Sequence, residues 1–116
     1  MAARRVSLDA YIFETLMRDL VGHDRSPAAY LVYLHLWVET QSGKGPFAAS
    51  YQTLAANTGL SKRTAQVAVA HLLSRGLIVV KRSYATAIPE YRVRKPWARR
   101  TLPKGPRRNP PISGER

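Results

Sequence analysis

The sequence predicts an α+β fold, mostly α, in which a helical domain is closed by a small antiparallel hairpin. Three observations carry that expectation. The stretch YQTLAANTGLSKRTAQVAVAHLLSRGLIVVKR, residues 51–82, runs in the order helix, turn, helix, strand. Tyr91-Arg92-Val93-Arg94 alternates apolar and cationic residues, as suits a return strand with one face on a core and one in water. Upstream, two further segments carry apolar residues at helical spacing.

Ser7 opens the first of these, a helix through about Val21 that sets Ala10, Ile12, Phe13, Leu16, Met17 and Leu20 mostly on one side. Gly22-His23-Asp24-Arg25 is a short connector. Ser26 followed by Pro27 supplies a cap and a first-turn proline for a second helix reaching about Thr40. That helix, AAYLVYLHLWVET, is apolar around much of its circumference, which places it centrally in the core or against a second subunit. Either arrangement buries Leu31, Leu34 and Val38. Gln41 to Pro46 forms a loop, and Phe47-Ala48-Ala49 suits a short strand that pairs with the hairpin.

In the stretch that follows, Leu54 and Ala55 face inward on a short helix. Gly59 stands where a left-handed residue lets the chain turn sharply. Leu60 plugs the corner, and the Ser61 hydroxyl can accept a hydrogen bond from a free N–H of the next helix's first turn. Ala65, Ala68, Val69, Leu72 and Leu73 recur at helical spacing as one buried stripe. Ala55 and Ala65 are small, as two closely crossing helices require. Gly76 ends the helix, and Leu77-Ile78-Val79-Val80 begins a strand that continues through Lys81-Arg82 into a polar turn, Ser83 to Pro89.

From Lys95 the chain reads KPWARRTLPKGPRRNPPISGER, with too little apolar surface to offset the entropy of ordering. The expected organisation is a flexible N-terminus at 1–6, a domain at 7–95 and a disordered, basic Pro/Arg-rich tail at 96–116. A chain of 116 residues with 45% hydrophobic content can bury one modest core.

The charge is segregated. Residues 1–60 hold five basic and five acidic residues, whereas residues 61–116 hold fourteen basic residues against Glu90 and Glu115. The whole net charge of +12 therefore lies from the second helix of the motif onward. One cationic end raises the local affinity for phosphate and favours a polyanion over a neutral ligand.

Other classes find little support. There is no cysteine, which excludes disulfide frameworks, thiolate metal sites and cysteine nucleophiles. Met1-Ala2-Ala3-Arg4-Arg5 is basic, but Asp9 and Glu14 interrupt what a secretory leader would need as an apolar core. The apolar run from Ala28 to Val38 is too short to cross a bilayer, so a cytoplasmic, nucleoid-associated protein is expected, with no membrane partner. No HExxH, glycine-rich phosphate loop, paired-carboxylate motif or Ser-His-Asp set recommends an enzyme, and neither cofactor nor metal is expected.

These residues resemble the winged helix-turn-helix family, in particular the small helix-turn-helix domains of bacterial, phage and plasmid regulators and replication proteins. The resemblance spans roughly residues 7–95. It is most specific in SYQTLAANTGLSKRT and LLSRGLI and looser in RSPAAYLVYLHLW and PEYRVR. It implies a winged helix-turn-helix with an extra N-terminal helix and a two- to three-stranded wing. In the family the second helix of the motif lies in the major groove of duplex DNA and the wing runs along the backbone or minor groove.

Carried over position by position, the resemblance makes Ser61, Lys62, Arg63, Gln66, Val67 and Ala70 the base-reading set. Arg63 suits a guanine edge, Gln66 an adenine edge, and Val67 and Ala70 only thymine methyls. Many relatives carry arginine at those last two positions, so base discrimination is expected to be modest. Gln52 and Thr53 in the preceding helix, Lys81, Arg82, Arg92 and Arg94 on the wing, and Lys95, Arg99 and Arg100 beyond it are the phosphate set. Lys81 and Arg82 equally suit ordinary solvated strand positions. Arg75 suits either the helix dipole or DNA, and His71 a satisfied surface position. Trp97 is read as pinning the tail to the domain, with base stacking as the alternative.

Function follows as duplex-DNA binding by a transcriptional regulator, with a homodimer through the N-terminal helices as a further expectation. The alternative is an accessory subunit of a replication or other nucleoprotein complex, whose winged helix binds a protein partner or RNA.

Overall fold

A computed structural model describes residues 5–99. Within them the N-terminal helix turns through Ile12–Leu16 and Arg18–His23. It is followed by α1 (Pro27–Glu39), β1 (Phe47–Ala48), α2 (Tyr51–Thr58), α3 (Lys62–Ser74), β2 (Ile78–Lys81), β3 (Glu90–Val93) and a single turn, α4 (Pro96–Arg99). The strands form one antiparallel sheet in the order β1-β3-β2. Phe47 pairs with Tyr91, and Val79 pairs with Arg92. The expected α+β, mostly helical, winged architecture is therefore present, and the third strand is the Phe47-Ala48 segment.

The core is built around α1. Ser26 caps it by accepting from the Ala29 N–H at 3.3 Å, with Pro27 in the first turn. Ala29, Val32, Tyr33, Leu36 and Trp37 are buried against α3, α2, the N-terminal helix and β3. The aromatic polar ends are satisfied across the fold. Tyr30 Oη donates to the Ile12 carbonyl at 2.9 Å, Tyr33 Oη to the Arg94 carbonyl at 2.9 Å, and Trp37 Nε1 to the Ser7 carbonyl at 2.7 Å. These bonds convert three amphipathic side chains into cross-links between α1 and distant chain.

Three orientations differ from the sequence expectation. On α1, Leu31 is exposed, and Leu34 and Val38 are only half-buried. The helix is surrounded on several sides, so apolarity alone could not say which side would be left out. On α3, Leu73 is exposed while Ala65, Ala68, Val69 and Leu72 are buried. On the N-terminal helix, Ile12, Leu16 and Leu20 are buried, and Phe13 and Met17 point outward. This helix is π-type: the Met17 N–H bonds to the Ile12 carbonyl and the Asp24 N–H to the Asp19 carbonyl. The i→i+5 pattern widens each turn, and the core takes only the row of Ile12, Leu16 and Leu20.

The N-terminal helix also begins at Ala10, later than Ser7, and reaches His23. The Ser7 carbonyl is occupied by Trp37 and Ser42. Asp24, placed at sequence level in a connector, sits at the junction of two helices. Its side chain is 8% exposed, and it accepts from His71 Nε2 at 2.8 Å, His23 Nδ1 at 2.9 Å and Arg75 Nε at 3.2 Å. Those bonds hold it below the ordinary carboxylate range, through His23 and His71 first and Arg75 after them. Because His71 and Arg75 belong to the C-terminal part of α3 and its cap, the cluster ties α3 to the end of the N-terminal helix.

The chain after β3 does not leave the domain at once. Trp97 stacks on Tyr11 with ring centroids 4.6 Å apart, and its Nε1 donates to Asp9 Oδ2 at 2.9 Å. Trp97 therefore pins the start of the tail to the domain, as the preferred sequence reading had it. Pro96–Arg99 of the expected tail form the single turn α4, and the remainder of the tail lies outside the described residues.

Candidate nucleic-acid interface

The site is assembled by two capped helix starts and the wing. Ser50 accepts from the Thr53 N–H at 3.1 Å to begin α2, and Ser61 accepts from the Thr64 N–H at 3.0 Å to begin α3. Between them Gly59 takes φ +79°, in the left-handed region where a side chain is strained. The Leu60 N–H follows onto the Ala55 carbonyl at 3.1 Å. This turn reverses direction so tightly that Leu54 and Ala55 on one helix meet Ala65, Ala68 and Val69 on the other in one core.

Neither α2 nor α3 carries an acidic residue in its first turn. The positive ends of both helix dipoles are thus left without a local carboxylate, which is the arrangement that favours a phosphate. Burying positions 65, 68, 69 and 72 turns the opposite face of α3 to solvent. Lys62, Arg63, Gln66, Val67 and Ala70 are all exposed there. Val67 is 51% exposed and, with Ala70, forms the apolar part of a face whose other members are polar or cationic. Ser61 is exposed too, but its hydroxyl is engaged as the cap and in a 2.8 Å bond to Thr64 Oγ1.

Across from these helix starts lies the loop between β2 and β3. Ser50, Gln52, Lys62, Arg82, Thr86 and Ile88 are among the residues lining one shallow groove of about 220 Å³. The groove brings together three of the sequence-predicted residues, Gln52, Lys62 and Arg82, from three different elements. Arg82 is held there by an Nη1 bond to the Ala87 carbonyl at 2.9 Å, which rigidifies the wing loop from within. The hydroxyl of Tyr91 is buried, has no hydrogen-bond partner among the described residues and is pushed up to about 12 by burial.

The other predicted cations take different places. Arg92 lies on the outer face of the sheet opposite Val79, and Lys81 lies beside it opposite Glu90. Arg94 is exposed at the base of the wing, where its N–H bonds to the Leu77 carbonyl. Among the described residues, Lys62, Arg63, Lys81, Arg92 and Arg94 make no side-chain ion pair. Lys95 faces another concavity, with Arg5 and Lys44. Its ammonium group lies 5.4 Å from the Trp37 ring centroid and bonds to the Ser42 carbonyl at 3.4 Å. The structure describes no side chain for Arg99, and Arg100 lies outside the described residues.

Sequence reasoning missed Ser50 and the loop residues Thr86 and Ile88. Ser50 was legible, because a serine three residues ahead of Thr53 at a helix start is a capping signal. Ile88 carried no such signal. Arg75 and His71 are drawn into the Asp24 cluster, a structural role for both.

Three helices crossing at a tight glycine turn, with a three-stranded wing beside the second helix of the pair, define a winged helix-turn-helix fold. A family model described as a helix-turn-helix domain matches residues 26–78, from the cap of α1 to the first residue of β2. The match supports a helix-turn-helix DNA-binding family for these residues, and with it a DNA-binding role. No curated protein and no solved structure matched it. Among the described residues no helix is long and apolar enough to cross a membrane.

Proposed function

We propose that the chain is a duplex-DNA-binding transcriptional regulator that acts as a homodimer through its N-terminal helices. α3 enters the major groove, with Arg63 and Gln66 meeting base edges and Val67 and Ala70 meeting thymine methyls. Gln52 and Thr53 at the start of α2, with Lys81, Arg82 and Arg92 on the wing, grip phosphates. Arg94 and Lys95, with Arg99 and Arg100 beyond them, extend that grip past the base of the wing. Regulation is by occupancy of the site, and association with the nucleoid follows from it.

The observation that carries this reading is the groove in which Gln52, Lys62 and Arg82 meet beside two acid-free helix starts. Selection from a random duplex library at physiological salt tests it. Enrichment of a motif, palindromic for a two-fold dimer, supports the regulator; recovery of unenriched DNA counts against base reading.

One observation favours a second reading. Val67, Tyr84 and Ile88 are large, apolar and exposed around the same surface, Tyr84 at 67% and Ile88 at 63%. Such a face also suits a protein surface in a nucleoprotein assembly. Co-purification of a partner at high salt, without preference among duplex sequences, would select that alternative.

A further inference from the structure

The N-terminal helix carries two rows of apolar residues, and the fold uses only one. Ile12, Leu16 and Leu20 are buried in the core. One position further along, Phe13, Met17 and Val21 are 50%, 38% and 38% exposed. With Glu14, Arg18 and Gly22 they line a shallow apolar depression of about 470 Å³. Three large apolar side chains in one solvent-exposed row form a surface that suits contact with another apolar surface.

We infer that this row is the seam of a two-fold, antiparallel pairing with a second copy of the same chain. Its charges fit that occupant. In an isologous contact each patch meets itself, so the patch must be self-complementary. A two-fold axis near Met17 sets Phe13 against Val21 of the second copy. It also brings Glu14 to within about two residues of the second copy's Arg18 along the axis. Each carboxylate then meets a guanidinium on both sides of the axis, whereas a parallel pairing sets Glu14 beside Glu14 and Arg18 beside Arg18. The chain's own tail is a poorer occupant, since residues 100–116 offer only Leu102 and Ile112 as large aliphatic side chains.

The pairing rests on the regulator reading for its purpose, and the structure supplies a link to that purpose. Behind the same helix, Asp24 takes His71 at 2.8 Å and Arg75 at 3.2 Å, and Asp19 takes Arg75 at 3.6 Å. The dimer axis is thereby fastened to α3, and its geometry sets the separation and orientation of the two recognition helices on DNA.

Sedimentation equilibrium of the full chain tests the seam without DNA. At a concentration on the order of 100 μM, where a micromolar dimer is saturated, the wild type is expected at about twice the 13.0 kDa chain mass. Met17→Asp is expected to run at the chain mass. Glu14→Arg and Arg18→Glu each weaken association at least tenfold, and the double exchange restores it. The exchange pair decides the matter should Met17→Asp disturb folding, because both charges are exposed. A monomeric wild type, a dimer indifferent to Met17→Asp, or an exchange that fails to restore association would each overturn the inference. Loss of DNA binding with an intact dimer would instead overturn the functional reading and leave the seam standing.

Discussion

Replacing Asp24 by Asn removes one negative charge from the point where α3 is tied to the N-terminal helix, and changes almost nothing in shape. Asp24 is nearly enclosed and serves three donors, at 2.8, 2.9 and 3.2 Å. A well-made hydrogen bond to a charged group contributes about 1.5–3 kcal/mol. Here, however, His23 is 83% exposed and Arg75 37%, so solvent screens both, and exposed pairs contribute below about 1 kcal/mol each. His71, less exposed, supplies most of the effect. The expected loss is about 1–2 kcal/mol, a fall in Tm of about 4 to 16 °C for a domain of this size.

The pH dependence has a definite sign. Because the Asp24 pKa is depressed in the folded protein, its contribution is complete above the ordinary carboxylate value and disappears as pH falls through the depressed one. Urea unfolding of both forms should therefore differ near neutral pH and converge from about pH 4 downward. Equal midpoints at neutral pH, or a gap that persists in strong acid, would refute the idea that this carboxylate clamps α3.

Other consequences are simpler to state. Gly59→Ala should cost about 1–2 kcal/mol by chemical denaturation, because φ is +79° and open space surrounds the added carbon, leaving backbone strain as the whole effect. Tyr91→Phe should be neutral or stabilising, since its buried hydroxyl has no partner among the described residues; Tyr33→Phe should lose about 1 kcal/mol with its bond to the Arg94 carbonyl. Leu72→Ala empties a fully buried position and should destabilise by about 2–5 kcal/mol in the same assay. In gel-shift titrations Arg63→Ala should weaken preferred sites by about 1–3 kcal/mol and random DNA far less, while Arg92→Ala should weaken both alike.

Much of the fold was legible because its punctuation is local. Ser26-Pro27, Ser61, Gly59 and Gly76 act on the residues beside them, and each stands where the structure starts, turns or ends a helix. Alternation in Tyr91 to Arg94 fixed which side of β3 is buried for the same reason. What stayed hidden depends on distant chain. Asp24 became a hub only when α3 delivered His71 and Arg75, 47 and 51 positions later. Leu31 and Leu73 look as apolar as their buried neighbours, and only the placement of α1 among several elements decides which sides stay wet. Phe13 and Met17 are as apolar as Ile12 and Leu16 one position before them, and only the packing of the helix on the domain decides which row is buried. At the interface, residue types and positions in the motif singled out Gln52 and Arg82 as phosphate contacts and Lys62 as a base reader, but the wing loop that gathers the three into one groove depends on how distant chain folds back.

The proposed function requires that the starts of α2 and α3 and the adjoining wing form a phosphate-binding face. The salt dependence of binding to a short duplex measures it directly. Six exposed cations, Lys62, Arg63, Lys81, Arg82, Arg92 and Arg94, border or flank that face. Neutralising about five to eight phosphates should make log affinity fall against log salt with a slope of about −4.5 to −7. Arg82→Ala should reduce that slope by about one. A slope near zero, or one indifferent to Arg82, would contradict the account.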